Sequence, residues 1–197
     1  MAISTIYNFR QALTLVLRQL ILDHAVPAIN QDLLQLMAGQ GVTQAQIPQF
    51  DDSSVVMGDL SPVRQATMCL LDSSENTIRL ATEGLFYTTL TTQIQIKTPT
   101  VGDNAPEDFR LLGSVCIDNL RDLLTSQATY TITPTNPAGQ NLLPSGMAFQ
   151  DCAFLGARSL NFPNREADGV TYTRGWIVMH SASICFSQNR PLALGSA

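Results

Sequence analysis

The period of the apolar residues changes several times along the chain, and each change marks an element. Over residues 5–22, Ile6, Phe9, Leu13, Val16, Leu17, Leu20 and Ile21 recur at helical spacing, with Arg10, Gln11, Arg18 and Gln19 on the other side. An amphipathic helix is predicted there. Pro27 is expected to interrupt it, since proline lacks the N–H that the helical ladder uses. A second short helix is predicted over 28–37, ending at Gly39 and Gly41, with a Met and Leu stripe read as core. From 41 to 62 the period is lost and Pro, Gln, Asp and Gly accumulate, which reads as an ordered excursion or a contact arm.

The next segments read as strands. Residues 65–71 (QATMCLL) form an apolar run bounded by Pro62 and by a polar turn at 72–76, the pattern of a buried strand, and a further strand is predicted over 77–82. The clearest alternation covers 85–97. Phe86, Leu90, Ile94 and Ile96 share one parity, while Thr89, Thr91, Gln93, Gln95 and Lys97 share the other, so one face is expected to be buried and one wet. A helix is predicted over 106–126. Asp103 and Asn104 precede it as caps, Pro106 suits a first turn, and Glu107 and Asp108 suit the positive end of the dipole. Its apolar face is Phe109, Leu112, Cys116, Leu120 and Leu124, and Arg110, Ser114, Asp118, Arg121 and Asp122 fall elsewhere.

After this helix, 128–133 reads as a short strand and 134–146 as a Pro/Gly-rich loop. Strand composition returns over 147–162, with Gly156 as a bulge or bend. A charged turn over 163–169 (PNREADG) leads into a long strand at 170–187, giving a β-hairpin of unusual length. The tail from 188 to 197 reads as frayed or held by a partner. The fold class expected is α+β: a single mostly antiparallel sheet, an N-terminal helix and a central helix packed on it, and a long C-terminal hairpin. One domain spans 1–197, with 23–62 and 134–146 as loop or arm insertions.

Composition narrows the function classes. At 197 residues the chain can build one sizeable core, and its apolar share of 45% is ordinary, but only 14% of residues are charged, against about 25% in an average domain. Thr, Ser, Gln and Asn supply the polarity instead, which suits faces covered by other subunits or a neutral soluble monomer. The net charge of −5, with no Lys/Arg cluster, argues against a surface that grips phosphates. No segment reaches about 18 uninterrupted apolar residues, and the N-terminus lacks a basic region and a cleavage site, so a soluble, unprocessed protein without a membrane partner is expected. Cys69, Cys116, Cys152 and Cys185 lie far apart in apolar stretches and read as buried thiols, with no disulfide or metal site.

Catalytic patterns are missing: there is no GxSxG, glycine-rich phosphate loop, HExxH or EF-hand. His180 shares parity with Val178, Ala182 and Ile184 and reads as a core or subunit-boundary histidine rather than a general base. His24 is expected at a helix C-terminus, where a cation suits the dipole. Asp51, Asp52 and Asp59 read as a solvated acidic surface, since neither they nor Asp103, Glu107 and Asp108 have calcium-loop spacing. Trp176 beside Arg174 reads as a core or interface anchor rather than a stacking platform. No enzyme activity, cofactor or metal is expected.

The order of elements resembles the tail terminator (tail completion, neck) proteins of long-tailed bacteriophages. The pieces that carry the resemblance are SPVRQATMCLL as the first strand, GLFYTTLTTQIQIKTPT as the second, APEDFRLLGSVCIDNLRDLL as the helix and NFPNREADGVTYTRGWIVMHSASICF as the closing turn and strand. The resemblance implies a virion protein, assembled in the host cytoplasm, that forms a homo-oligomeric ring, a hexamer, on the head-proximal end of the tail tube. Its implied partners are other copies of itself, the tail tube protein, a head-side connector or neck protein, and a sheath where the tail is contractile. DNA would pass through the lumen without specific binding. The hairpin residues Asn164, Arg165, Glu166 and Asp168 are the candidate partner-binding site. Two alternatives stay open: another neck or tail component (connector, stopper or tube subunit), and a small cytosolic enzyme or ligand-binding domain with a pocket around His180 or Asp151.

Overall fold

The computed structural model describes residues 5–39, 47–60, 63, 65–71, 74–82, 85–98, 106–126, 130, 135, 138–139, 141–143, 148–166 and 169–187. Helix α1, Thr5–Leu20, passes through a π-helical turn, Ile21–Ala25, directly into α2, Val26–Gly39. Pro27 therefore does not interrupt the helix. The widened turn, in which the Val26 N–H donates to the Ile21 carbonyl, shifts the ladder just ahead of the proline that cannot join it. His24 consequently lies inside a continuous helical run and caps no helix end, while Asp23 accepts hydrogen bonds from Gln19 at 2.8 and 2.9 Å. The run Phe9–Gly39 is long and apolar enough to cross a membrane by length and composition. Phe9, Leu13, Leu17, Ile21, Ile29 and Leu33 in it are fully buried in the protein's own core.

Six strands form one mixed sheet: β1 (Val55–Met57), β2 (Thr67–Leu70), β3 (Ser74–Thr82), β4 (Leu85–Lys97), β5 (Gln150–Glu166) and β6 (Gly169–Ser187). The order is β1-β2-β4-β6-β5, with β3 beside β4 and only the β1–β2 pair parallel. Helix α3, Pro106–Ser126, follows β4. The fold is α+β, a mostly antiparallel sheet carrying an N-terminal and a central helix and closing in a long hairpin, as the periodicity predicts. The stretch 41–62, expected to be an ordered excursion or a contact arm, holds a short 3-10 turn, Asp52–Ser54, and the edge strand β1. Asp51 caps that turn reciprocally with Ser54, and Arg18 of α1 donates to the carbonyls of Val55 and Asp52 and to the Asp52 carboxylate. These bonds hold the arm on the domain.

The core lies between the helices and one face of the sheet. Leu112, Cys116, Leu120 and Leu124 of α3 are buried in the same core as Trp176 and Val178 of β6, and Arg110, Ser114, Asp118, Arg121 and Asp122 are exposed, as their spacing predicts. The Phe109 side chain and the cap residues Asp103 and Asn104 lie outside the described residues. Gly113 faces the Trp176 indole at a distance that leaves no room for a β-carbon, so α3 approaches the sheet more closely there than any other residue would allow.

The expectation of a wet face on β4 is corrected. Thr91, Gln95 and Lys97 are buried along with the apolar parity. Part of the reason is the connection from β1 to β2, which runs over that face: Lys97 Nζ pairs with Asp59 and donates to the Leu60 carbonyl at 3.0 Å. Thr and Gln read as solvent-facing because they are polar, yet their uncharged side chains can be covered at far lower cost than charged ones. Among the residues of the expected strand at 128–133, only Tyr130 is described, as an isolated bridge to Phe149, and most of the 134–146 loop lies outside the described residues.

Candidate interaction surface

The hairpin of β5 and β6 begins inside the sheet and ends outside it. β4 pairs with β6 as far as Lys97↔Gly175. From there, among the described residues, β5 and β6 pair only with each other, through six pairs from Asn161↔Arg174 to Glu166↔Gly169. At about 3.4 Å per residue the ribbon reaches some 20 Å past the sheet. The predicted turn at 163–169 is thus corrected: Asn164, Arg165 and Glu166 are strand residues, paired with Thr171, Val170 and Gly169. Only residues 167 and 168 separate the strands, and Asp168 lies outside the described residues. The β-formers Val170, Thr171 and Tyr172 opposite them extend the pairing. Pro163 is compatible because β5 is an edge strand, where a missing N–H breaks no ladder on the outer side.

Closer to its start, β5 is irregular. The register shifts between Gln150 and Ala153 and again between Phe154 and Gly156. Asp151 has φ 48° and Gly156 φ 136°, the second a conformation open to glycine alone, so the predicted bulge at Gly156 is present. The bulges throw Leu155 outward, where it is 55% exposed. Bulges of this kind blunt an edge strand against pairing with another sheet. Beside them Arg121 of α3 pairs with Asp118 at 2.7 Å and lies 5.4 Å over the Phe154 ring.

The other sequence candidates serve the fold. Asp51 caps the 3-10 turn, and its hydrogen bonds from Ser53 and Ser54 hold its carboxyl below the usual range. Asp52 pairs with Arg18, and Asp59 with Lys97. Glu107 and Asp108 side chains lie outside the described residues, as does that of Arg174. Among the described residues no group of three or more His, Cys, Asp and Glu is placed to hold a metal ion.

His180 is fully buried under the helices. Its Nε2 lies 2.7 Å from the Tyr130 hydroxyl, and burial pushes its pKa from 6.5 down to about 4, so the imidazole is neutral near pH 7. Among the described residues Nδ1 has no partner, nor has Thr92 Oγ1 on the residue registered directly across from it, nor Thr88 Oγ1 four residues back along β4. Burial likewise pushes the Tyr130 hydroxyl far up. This arrangement makes His180 a poor general base at neutral pH and a good clip, joining the sheet to the Tyr130–Phe149 bridge. Sequence reading missed Tyr130, Thr88 and Thr92. The two threonines share the parity of Leu90 and Ile94, which was the available signal; Tyr130 is 50 residues from His180 and gave none.

All four cysteines are free thiols. Cys69, Cys116 and Cys152 are buried, while Cys185 is half-buried, a correction to the expectation of four buried thiols. Desolvation pushes the Cys69 and Cys116 thiols up and that of Cys152 up to about 12. A thiol-reactive dye should therefore label one cysteine of the folded protein, Cys185, and all four in denaturant. Rapid labelling of more than one thiol in the folded state would contradict this burial.

No protein-family profile matches the chain, and no curated protein matches its sequence.

Proposed function

We propose that the chain is a structural virion protein of the phage neck. It closes into a ring, a hexamer, on the head-proximal end of the tail tube, ends tube polymerisation and joins the tail to the head-side connector. It catalyses no reaction, and DNA passes through its lumen without specific binding. The observation that carries this reading is the ribbon of β5 and β6, whose last six pairs run past the end of β4, so that neither strand has a further strand partner there among the described residues. The element order that resembles tail terminators and the low charge support it from the sequence.

The test is assembly of tail tubes from their purified subunit in the presence of this protein. A terminator binds one tube end and halts elongation, so tubes shorten as its concentration rises. A tube subunit would instead enter open-ended stacks, and a protein unrelated to tails would leave tube length unchanged.

A further inference from the structure

The sheet face opposite the one that carries Ile94 and Ile96 holds a thiol among polar neighbours. Cys69 of β2 is registered directly across from Gln95 of β4, and Lys97 follows two residues along on the same face. Diagonal neighbours of that kind lie within reach of a long side chain. All three are covered, Cys69 fully, Gln95 at 9% exposure and the Lys97 side chain at 3%. Among the described residues Gln95 Oε1, though buried, has no hydrogen-bond partner. An unmatched buried acceptor is costly, and a thiol is too weak a donor to offset that cost.

The start of the β1–β2 connection lies over this group. Gly58, at φ 91°, donates its N–H to the Leu70 carbonyl at 2.8 Å and turns the chain over the sheet. Asp59 then pairs with Lys97 Nζ, the Leu60 carbonyl accepts from Nζ at 3.0 Å, and the Leu60 N–H bonds to the Cys69 sulfur. The Asp59 side chain is 64% exposed and Leu60 44%, so polar contacts rather than burial hold this strap down. We propose that residues 58–60 are a latched lid over Cys69, and that its opening makes this thiol a modification site for hydroperoxides. Burial does most to keep the closed thiol protonated, and the Asp59 carboxylate adds to it. Opening relieves both and forfeits the Leu60 N–H, while the Lys97 ammonium stays on the same face as the sulfur and favours the thiolate. The thiolate then attacks one peroxide oxygen. An S–O bond forms, the O–O bond breaks, and the second oxygen leaves as an anion that takes up the proton the thiol released. Sulfur loses two electrons, the peroxide gains them, and the product is a sulfenic acid. Its hydroxyl is the donor that Gln95 Oε1 lacks. The site is independent of the ring-forming reading.

The experiment treats the full chain carrying Cys185→Ser with hydrogen peroxide and dimedone, which traps sulfenic acids, and reads each cysteine by peptide mass spectrometry. Circular dichroism verifies folding. Asp59→Ala removes one end of the latch at an exposed position and should raise the rate at Cys69 about tenfold, the population change that one charge-assisted hydrogen bond controls. Lys97→Met opens the latch too but removes the ammonium, so its Cys69 should react several-fold more slowly than that of Asp59→Ala. Cys116, fully buried in the core beneath α3, reports global opening and should stay unmodified throughout. An unchanged rate at Cys69 in Asp59→Ala overturns the lid, and so does an equal rise at Cys116, which makes the opening global. Equal rates at Cys69 in the two variants overturn the part given to Lys97 and with it the site.

Discussion

Gly113→Ala should lower the stability of the protein by about 3 kcal/mol, although the same change in an exposed helix would add up to about 1 kcal/mol. The difference is Trp176. A β-carbon at Gly113 would overlap the indole carbons and stand 2.7 Å from Nε1. Trp176 is buried among core residues, so the ring has no route outward, and relief requires α3 to lift from the sheet. Lifting it also loosens Leu112, Cys116 and Leu120. Overpacking usually costs about 1–3 kcal/mol, and a rigid bicyclic neighbour places this site at the upper end or beyond it. For a chain of this size the expected fall in melting temperature is about 6–12 °C. Combining Gly113→Ala with Trp176→Phe should recover part of it, because the smaller ring vacates the space. A Gly113→Ala protein as stable as the parent would contradict the close approach of α3.

Acid should weaken the fold through His180. Its pKa is about 4 in the folded protein and 6.5 when exposed. The unfolded chain binds the proton first, so stability falls as pH drops through 6.5 and levels off below about 4 for this group. A shift of that size corresponds to about 3 kcal/mol across the window. Asp51 acts in a different range. Its carboxyl is held below 3.8, so its contribution is present above that pH and is lost only in stronger acid. Urea titrations at pH 7 and pH 4.5 separate the two. The parent protein should lose most of the predicted amount between them, and His180→Gln, which cannot take up the proton, should show a much flatter profile. Equal pH dependence in both proteins would contradict the burial of a neutral imidazole.

Most of the fold was legible because amphipathic period and burial agree for α1 and α3, and the alternation along β4 marks its extent. The bounds of α3 and β4 coincide with those read from the pattern, Pro106–Ser126 and Leu85–Lys97. Legibility failed where tertiary contacts override a local rule. Pro27 predicts a break, but one widened turn absorbs it. Thr91, Gln95 and Lys97 predict a wet face, but the connection from β1 crosses over Lys97. The residues 163–169 have turn composition, with Pro, Asn, Asp and Gly, yet backbone pairing runs on to Glu166↔Gly169. Of the candidate partner site, the location on the hairpin was legible. Its form was not, because how far the hairpin runs past β4 depends on the register between β4 and β6, Lys97↔Gly175, which no residue of the hairpin encodes.

The central claim is that copies of this chain close on themselves, and negative-stain electron microscopy of the purified protein tests it most directly, with native mass spectrometry counting the subunits. The account predicts closed rings with a central opening and the mass of six 21.4 kDa chains. A monodisperse monomer at every concentration, or open-ended stacks that grow without limit, would contradict it.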